Sequence, residues 1–197
     1  MASDLPEKEG VRERKRRETH QRIAEAGMRL FVAHGYDATT LEAIAAAAGI
    51  SRRTFFYYFK SKDDVLLSVQ STGSELLLSI LRQQPPGLAP IDAVRNAMLK
   101  VIPPYQSDEL IIIYRLLRSN ETLQARKQAG FVEKERALFA TLCEMWPQPE
   151  RRTALRLVAM ASMGAFRLAI DTWSAEGGKR PLVDMLEEAF AALKAEI

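Results

Sequence analysis

Cysteine occurs once in these 197 residues, at Cys143, so no disulfide can close within the chain. That excludes the disulfide-stapled secreted scaffolds and suits a reducing cytoplasm, where the chain is expected to reside. Histidine is nearly as scarce: only His20 and His34, both near the N-terminus. The chain therefore has no Cys/His cluster for a metal and no HExxH, and its glycines form neither a phosphate loop nor a nucleophile elbow. An enzyme would have no visible machinery here, and neither cofactor nor metal is expected. Long apolar runs are lacking too. The strongest, Leu157 to Phe166, is bounded by Arg156 and Arg167 and is too short for a bilayer. The N-terminus has no apolar signal-peptide core, so no membrane partner is expected. Period-2 alternation and internal repeats are also missing, which leaves helices as the building material.

What is present is a globular composition, 47% hydrophobic and 27% charged. The net charge of +3 is small but unevenly placed. Residues 1–62 hold 12 Lys+Arg against 8 Asp+Glu (+4), and residues 63–197 hold 16 against 17 (−1). A basic excess confined to one end is the footprint of a nucleic-acid partner.

That end contains YDATTLEAIAAAAGISRRTFFYYFKSK, Tyr36 to Lys62. Thr39 and Thr40 offer hydroxyl caps, and Glu42 stands three residues after Thr39 in capping-box spacing. Leu41, Ile44, Ala45 and Ala48 make one apolar helical face, and Gly49 is a left-handed stop. Ser51 caps a second helix, RRTFFYYF, which Phe55 and Phe59 anchor to a core. Two short helices joined by a glycine turn form a helix-turn-helix. Ser51, Arg52, Arg53 and Thr54 crowd the start of the second helix, where bases are read and phosphates are favoured. Tyr57, Tyr58, Lys60 and Lys62 follow as backbone donors, and Thr39 and Thr40 complete the candidate DNA-binding set.

From Arg22 to Leu67 the chain resembles the TetR family of bacterial transcriptional repressors. Gly35, Tyr36, Thr39, Thr40, Ile44, Ala45, Ala48, Gly49, Ser51, Thr54, Tyr58, Phe59 and Lys62 stand where the family pattern places them. Phe56 departs from the usual tyrosine and removes a hydroxyl. Arg53 replaces a residue that is often small, which bears on operator preference.

In chain order, residues 1–11 are expected to be a disordered tail. The run RERKRR, Arg12 to Arg17, reads equally as a solvated helix start or a phosphate-tracking arm. A first helix is expected from about Arg12 to His34, its inward stripe formed by Ile23, Gly27, Leu30 and Phe31. Ser61, with Asp64, begins one that continues to about Gln84, a span of about 30 Å that would connect two domains. Further helices are bracketed by Pro90 and Pro103–Pro104, by Ser107 and Ser119, by Asn120 and Trp146, and by Arg151 and Ala175. The last opens at Pro181. The expected fold is all-α with about nine helices: a helix-turn-helix domain over 12–62 and a ligand-binding and dimerisation domain over 63–197.

The resemblance implies that the last two helices pair with those of a second copy. Leu155, Met163, Phe166, Ile170, Leu186 and Phe190 are the candidate interface. It also implies a ligand chamber in the middle helices. The candidate liners are Tyr105, Tyr114, Arg115, Phe131, Cys143, Trp146, Met160 and Arg167. Arg167 has Asp171 four residues on, so an ion pair competes with a ligand contact. Arg167, Trp173, Gly177–Gly178 and Pro181–Leu182 resemble mycofactocin-type members, which implies an apolar or acyl-type effector. The resulting expectation is a homodimeric repressor that binds a pseudo-palindromic DNA operator and is released by a small effector. The alternative is a helix-turn-helix architectural or adaptor protein with no effector.

Overall fold

A computed structural model describes residues 10–68, 72–102, 108–119 and 121–196. The chain divides into two compact units, Met1–Val69 and Gln70–Ile197. All regular structure among the described residues is helical.

The first unit holds α1 (Val11–His34), α2 (Leu41–Ala47), α3 (Arg52–Tyr58) and α4 (Lys62–Ser68). Of the tail expected over 1–11, residues 1–9 lie outside the described residues, and α1 begins at Val11. RERKRR is therefore helical and exposed, the start of α1. Two short-range pairs, Arg14–Glu18 and Arg16–Glu13, lace it. Ile23, Ala26, Gly27 and Phe31 form the buried face of α1. Gly35 ends the helix at φ 83°, where glycine avoids a steric cost.

Thr40, not Thr39, caps α2, its hydroxyl accepting from Ala43 N at 3.1 Å. Thr39 is buried, and its hydroxyl donates to the carbonyls of Gly35 and Leu30. The turn closes with Gly49 at φ 66°, and Ile50 N donates back to Ala45 O. Ser51 then caps α3 by accepting from Thr54 N. Such a cap contributes about 1 kcal/mol. Ser61 and Asp64 form a reciprocal capping box at the start of α4, as their spacing predicts. Val65 and Leu66 are fully buried and α4 packs on α1, so α4 belongs to this unit and the boundary falls later than Lys62.

The second unit comprises α5 (Thr72–Arg82), α6 (Pro90–Val101), α7 (Asp108–Ser119), α8 (Glu121–Met145), α9 (Arg152–Ala175) and α10 (Leu182–Ala195). The single helix expected from Ser61 to Gln84 is thus described as α4 and α5, with residues 69–71 outside the described residues. The caps expected at Ser107 and Asn120 and the stop at Pro103–Pro104 also lie outside them. Pro90 opens α6 as expected, because the first helical turn needs no N–H from it. Pro181 precedes α10 as its N-cap residue.

α9 is the centre of this unit and packs against α6, α7, α8 and α10. The apolar run expected to be too short for a bilayer lies inside the 27-residue segment Pro149–Ala175. That segment could cross a membrane by length and composition alone. Nine α9 residues, from Leu155 to Ser174, are buried against its neighbours, as in the central helix of a bundle. Beyond α9, Gly178 sits at φ 70°, and a Cβ there would lie 2.3 Å from Ile111 Cδ1.

Candidate functional site

The helical period divides α3 into an anchored side and a presented side. Phe55 and Phe59, four apart, are buried and contribute roughly 1.5–3 kcal/mol each. Arg52, Arg53, Phe56 and Tyr57 are exposed; Tyr57 is 74% and Phe56 44% accessible. Large aromatics left in water on a seven-residue helix are unusual unless a partner covers them. The Arg52 guanidinium lies 5.6 Å from the Phe56 ring centre and 3.1 Å from Glu42 on α2. Both partners of that ion pair are more than half exposed, so the pair holds Arg52 only weakly. Tyr57 and Tyr58 meet edge-on at 5.1 Å. Tyr58 and Thr54 are half-buried, whereas Ser51, Thr40 and Lys60 are exposed.

Two of the expected DNA contacts are engaged within the unit. The Thr39 hydroxyl serves the α1–α2 loop, as above. The Lys62 ammonium donates to the carbonyl of Tyr36 at 2.8 Å, reaches those of Thr39 and Asp37, and sits 4.2 Å from the Tyr36 ring centre. Tyr36 in turn donates its hydroxyl to Asp63. Lys62 thus ties α4 to the α1–α2 loop. Arg22 does the same for the turn, its Nε donating to Ala48 O at 3.1 Å, a contact 26 residues long that local spacing could not reveal. His20 stacks on Phe59 at 4.3 Å, and burial first, then Arg16, lowers its pKa from the usual 6.5.

In the second unit the expected ligand liners separate. Tyr105 lies outside the described residues. Tyr114 and Phe131 come together around Lys127, whose Nζ is 5.7 Å from the first ring centre and 5.9 Å from the second. Burial, then the Asp171 charge, pushes the Tyr114 hydroxyl up to about 12. Cys143 and Trp146 are half-buried near the far end of α8. Arg115 is exposed, and Met160 is on the outer face of α9.

The Arg167–Asp171 pair expected from their spacing does not form. Asp171 takes the buried Lys127 of α8 at 2.7 Å, and exposed Arg167 donates to Gln128 at 3.0 Å. Lys127 is the residue that spacing along one helix missed. A lysine in line with Leu123 and Phe131 is the signal that could have found it.

The expected interface residues also need revision. Leu155, Met163, Ile170, Leu186 and Phe190 are buried within the chain and have almost no surface left to give a second copy. Phe166 packs edge-on against Phe131. The side of α9 left open carries Leu157, Met160 and Leu168, with Ala161 and Gly164 between them.

Comparison with known proteins agrees with both units. Residues 23–69 match the bacterial regulatory proteins of the tetR family, and residues 88–197 match the MftR C-terminal domain. The HTH-type transcriptional regulator TcmR of Streptomyces glaucescens is 37% identical over 105 residues, 53% of this chain and 46% of that protein. The chain spans less than half the length of the curated relatives it matches. Among solved structures, Thermus thermophilus FadR, a TetR-family repressor in complex with lauroyl-CoA, is 26% identical with a TM-score of 0.55, covering 88% of this chain and 92% of that one. The fatty acid degradation regulator FadR of Bacillus halodurans shares the fold at 22% identity and a TM-score of 0.60, over 95% of this chain and 96% of that one. With its helix-turn-helix matched at one end and its C-terminal domain over more than half its length, this chain belongs to the TetR family of bacterial regulatory proteins.

Proposed function

We propose that this chain is a dimeric transcriptional repressor that reads a pseudo-palindromic operator with α3 and is released by an apolar or acyl-type effector bound in its second unit. The observation that carries the proposal is the presented side of α3: Arg52, Arg53, Phe56 and Tyr57 exposed on a helix anchored by Phe55 and Phe59. Arginines there pair with guanine edges or phosphates, and the exposed Phe56 ring suits a thymine methyl in place of the missing phenol. Ser51, Thr40, Thr54, Tyr58 and Lys60 supply backbone donors around them. Lys62 and Thr39 hold the unit's shape and act on DNA through it.

The open stripe of α9 is the surface that a second copy would cover. A two-fold pair of helix-turn-helix units reads two half-sites about one helical turn apart. An acyl-type effector is favoured by the lauroyl-CoA bound to the Thermus relative and by the apolar, aromatic interior of α7–α9. Effector and DNA are linked through their differing affinities for two conformations. A hundredfold loss of DNA affinity requires about 2.8 kcal/mol of differential effector binding.

The test is a fluorescence-anisotropy titration on DNA from upstream of this protein's own gene. It is run at two salt concentrations, against scrambled competitor, with and without a long-chain acyl-CoA. Specific, salt-sensitive binding that weakens with acyl-CoA is the expected result. Binding that persists with every effector tried favours an architectural or adaptor protein. Failure to select any sequence from random DNA would overturn the regulator.

A further inference from the structure

The first two turns of α1 have no buried side. Every residue from Val11 to Glu18 is exposed, and burial begins with Thr19 and His20. These residues hold five cations against two carboxylates, a net +3 that equals the net charge of the whole chain. The pairs Arg14–Glu18 and Arg16–Glu13 join side chains at least 58% exposed, so they offset this charge only weakly. Arg12 and Lys15 meet no carboxylate among the described residues. A helix with no apolar side gains nothing from packing, and Arg12 and Arg16, four apart, repel each other along it.

The helical period places Arg12, Lys15, Arg16, Thr19, Arg22 and Ile23 on one side of α1. Two contacts seat the helix against α3. Arg22 Nε donates at 3.1 Å to Ala48 O, in the turn that leads into α3. At the other end of α3, His20 stacks on Phe59 at 4.3 Å, near the exposed Tyr57 and Lys60. Arg16 stands one turn from His20, and its charge adds to burial in lowering the imidazole's pKa. From these anchors Val11–Glu18 continues for about 12 Å of helix, at about 1.5 Å per residue. The cationic stretch thus adjoins α3. The tetR-family match begins at residue 23, so that likeness assigns the stretch no role.

We propose that the start of α1 is a second DNA-contact surface, in which Arg12, Lys15 and Arg16 hold the phosphate backbone beside the groove that α3 reads. The proposal rests on the DNA-binding reading above and adds to it a contact that carries no sequence information. Duplex DNA bears about one negative charge per 1.7 Å of its axis, so about 12 Å of cationic helix meets several phosphates. Those phosphates also remove the repulsion between Arg12 and Arg16.

The experiment is the salt dependence of DNA binding by the whole chain, followed by fluorescence anisotropy on a sequence selected by the parent and on scrambled DNA. In the Arg12→Gln/Lys15→Gln/Arg16→Gln variant the slope of log affinity against log salt should be shallower by at least about 1.8. That is one phosphate lost by each protomer of a dimer, at about 0.9 per contact. The parent then loses about 12-fold more affinity than the variant between about 50 and 200 mM salt. Binding should weaken by the same factor on both DNAs, which leaves the preference for the selected sequence intact. Glutamine is nearly as good a helix former as arginine or lysine, so helix content and melting temperature should not change. Arg12→Lys/Lys15→Arg/Arg16→Lys should bind as the parent does. Arg29→Gln, which removes an exposed cation farther along the same helix, should leave the slope unchanged. An unchanged slope in the triple glutamine variant, a comparable change from Arg29→Gln, or a loss confined to the selected sequence would overturn the proposal. A parent that selects a sequence while the glutamine variant keeps its slope removes this surface and leaves the regulator standing. A parent that binds no DNA removes both.

Discussion

At Gly27 the α1 backbone comes close to Val65 of α4, and replacing it with alanine tests the packing that supports α2 and α3. A Cβ at Gly27 would fall 2.4 Å from Val65 Cγ1 and 3.6 Å from Ile44 Cδ1. Carbon atoms normally sit about 3.5–4.0 Å apart, so the first contact is short by roughly 1 Å. Val65 is fully buried, and as a β-branched residue it has no flexible end to swing aside. Overpacking of this kind costs about 1–3 kcal/mol, while alanine in place of glycine returns about 1 kcal/mol of helix propensity. The net expectation is a loss of roughly 1 kcal/mol, about fivefold in the opening equilibrium.

Both tryptophans, Trp146 and Trp173, lie in the second unit, so their fluorescence does not report on this change. Amide hydrogen exchange in peptides from α1, α2 and α4 does. Val65→Ala alone leaves a cavity that the new methyl partly refills. The double variant should therefore be more stable than the sum of the singles by about 1 kcal/mol or more. Additivity within about 0.3 kcal/mol, or stabilisation by Gly27→Ala alone, would refute the close packing of these helices.

Three further outcomes follow from other parts of the chain. Glu42→Ala releases Arg52 from an exposed pair that contributes about 0.2–1 kcal/mol, so operator affinity by anisotropy should rise about 1.4- to 5-fold. Unchanged or weaker binding would speak against Arg52 as a contact. Leu157→Glu with Leu168→Glu should yield a folded monomer by sedimentation and circular dichroism, because both side chains are exposed. Leu155→Glu should unfold the second unit, because it buries a charge. An intact dimer in the Leu157/Leu168 variant would place the interface elsewhere. His20, with its folded-state pKa below the ordinary 6.5, binds a proton less readily folded than unfolded. Its contribution is present above pH 6.5 and is lost as pH falls from there through the folded-state value. His20→Phe should reduce the stability lost by the first unit between pH 7 and pH 5, and an undiminished loss would assign it to other groups.

The helix-turn-helix was legible because its signals are local. Ser51 and Thr54, Gly49 and its turn, and Phe55 and Phe59 all act within a few residues of one another. Residue type alone could not separate two uses of the same chemistry. Lys62 and Thr39 look like DNA donors, but carbonyls within the unit take their protons: Tyr36's, 26 residues from Lys62, and Gly35's, four from Thr39. Asp171 pairs across 44 residues with Lys127, although Arg167 stands only four away, because the buried Lys127 ammonium reaches it from α8 while Arg167 turns to Gln128. On α9 nearly every face is apolar or small, so the sequence could not tell core from open stripe. Only the packing of the neighbouring helices separates Leu155 from Leu157.

The most direct test is the operator affinity of the Arg52→Ala/Arg53→Ala variant beside the parent, on a sequence selected by the parent from random DNA. Both side chains are exposed, so helix content and oligomeric mass should not change. The account predicts that binding falls to the level seen on scrambled DNA. Sequence-specific binding retained by the variant would contradict α3 as the reading helix.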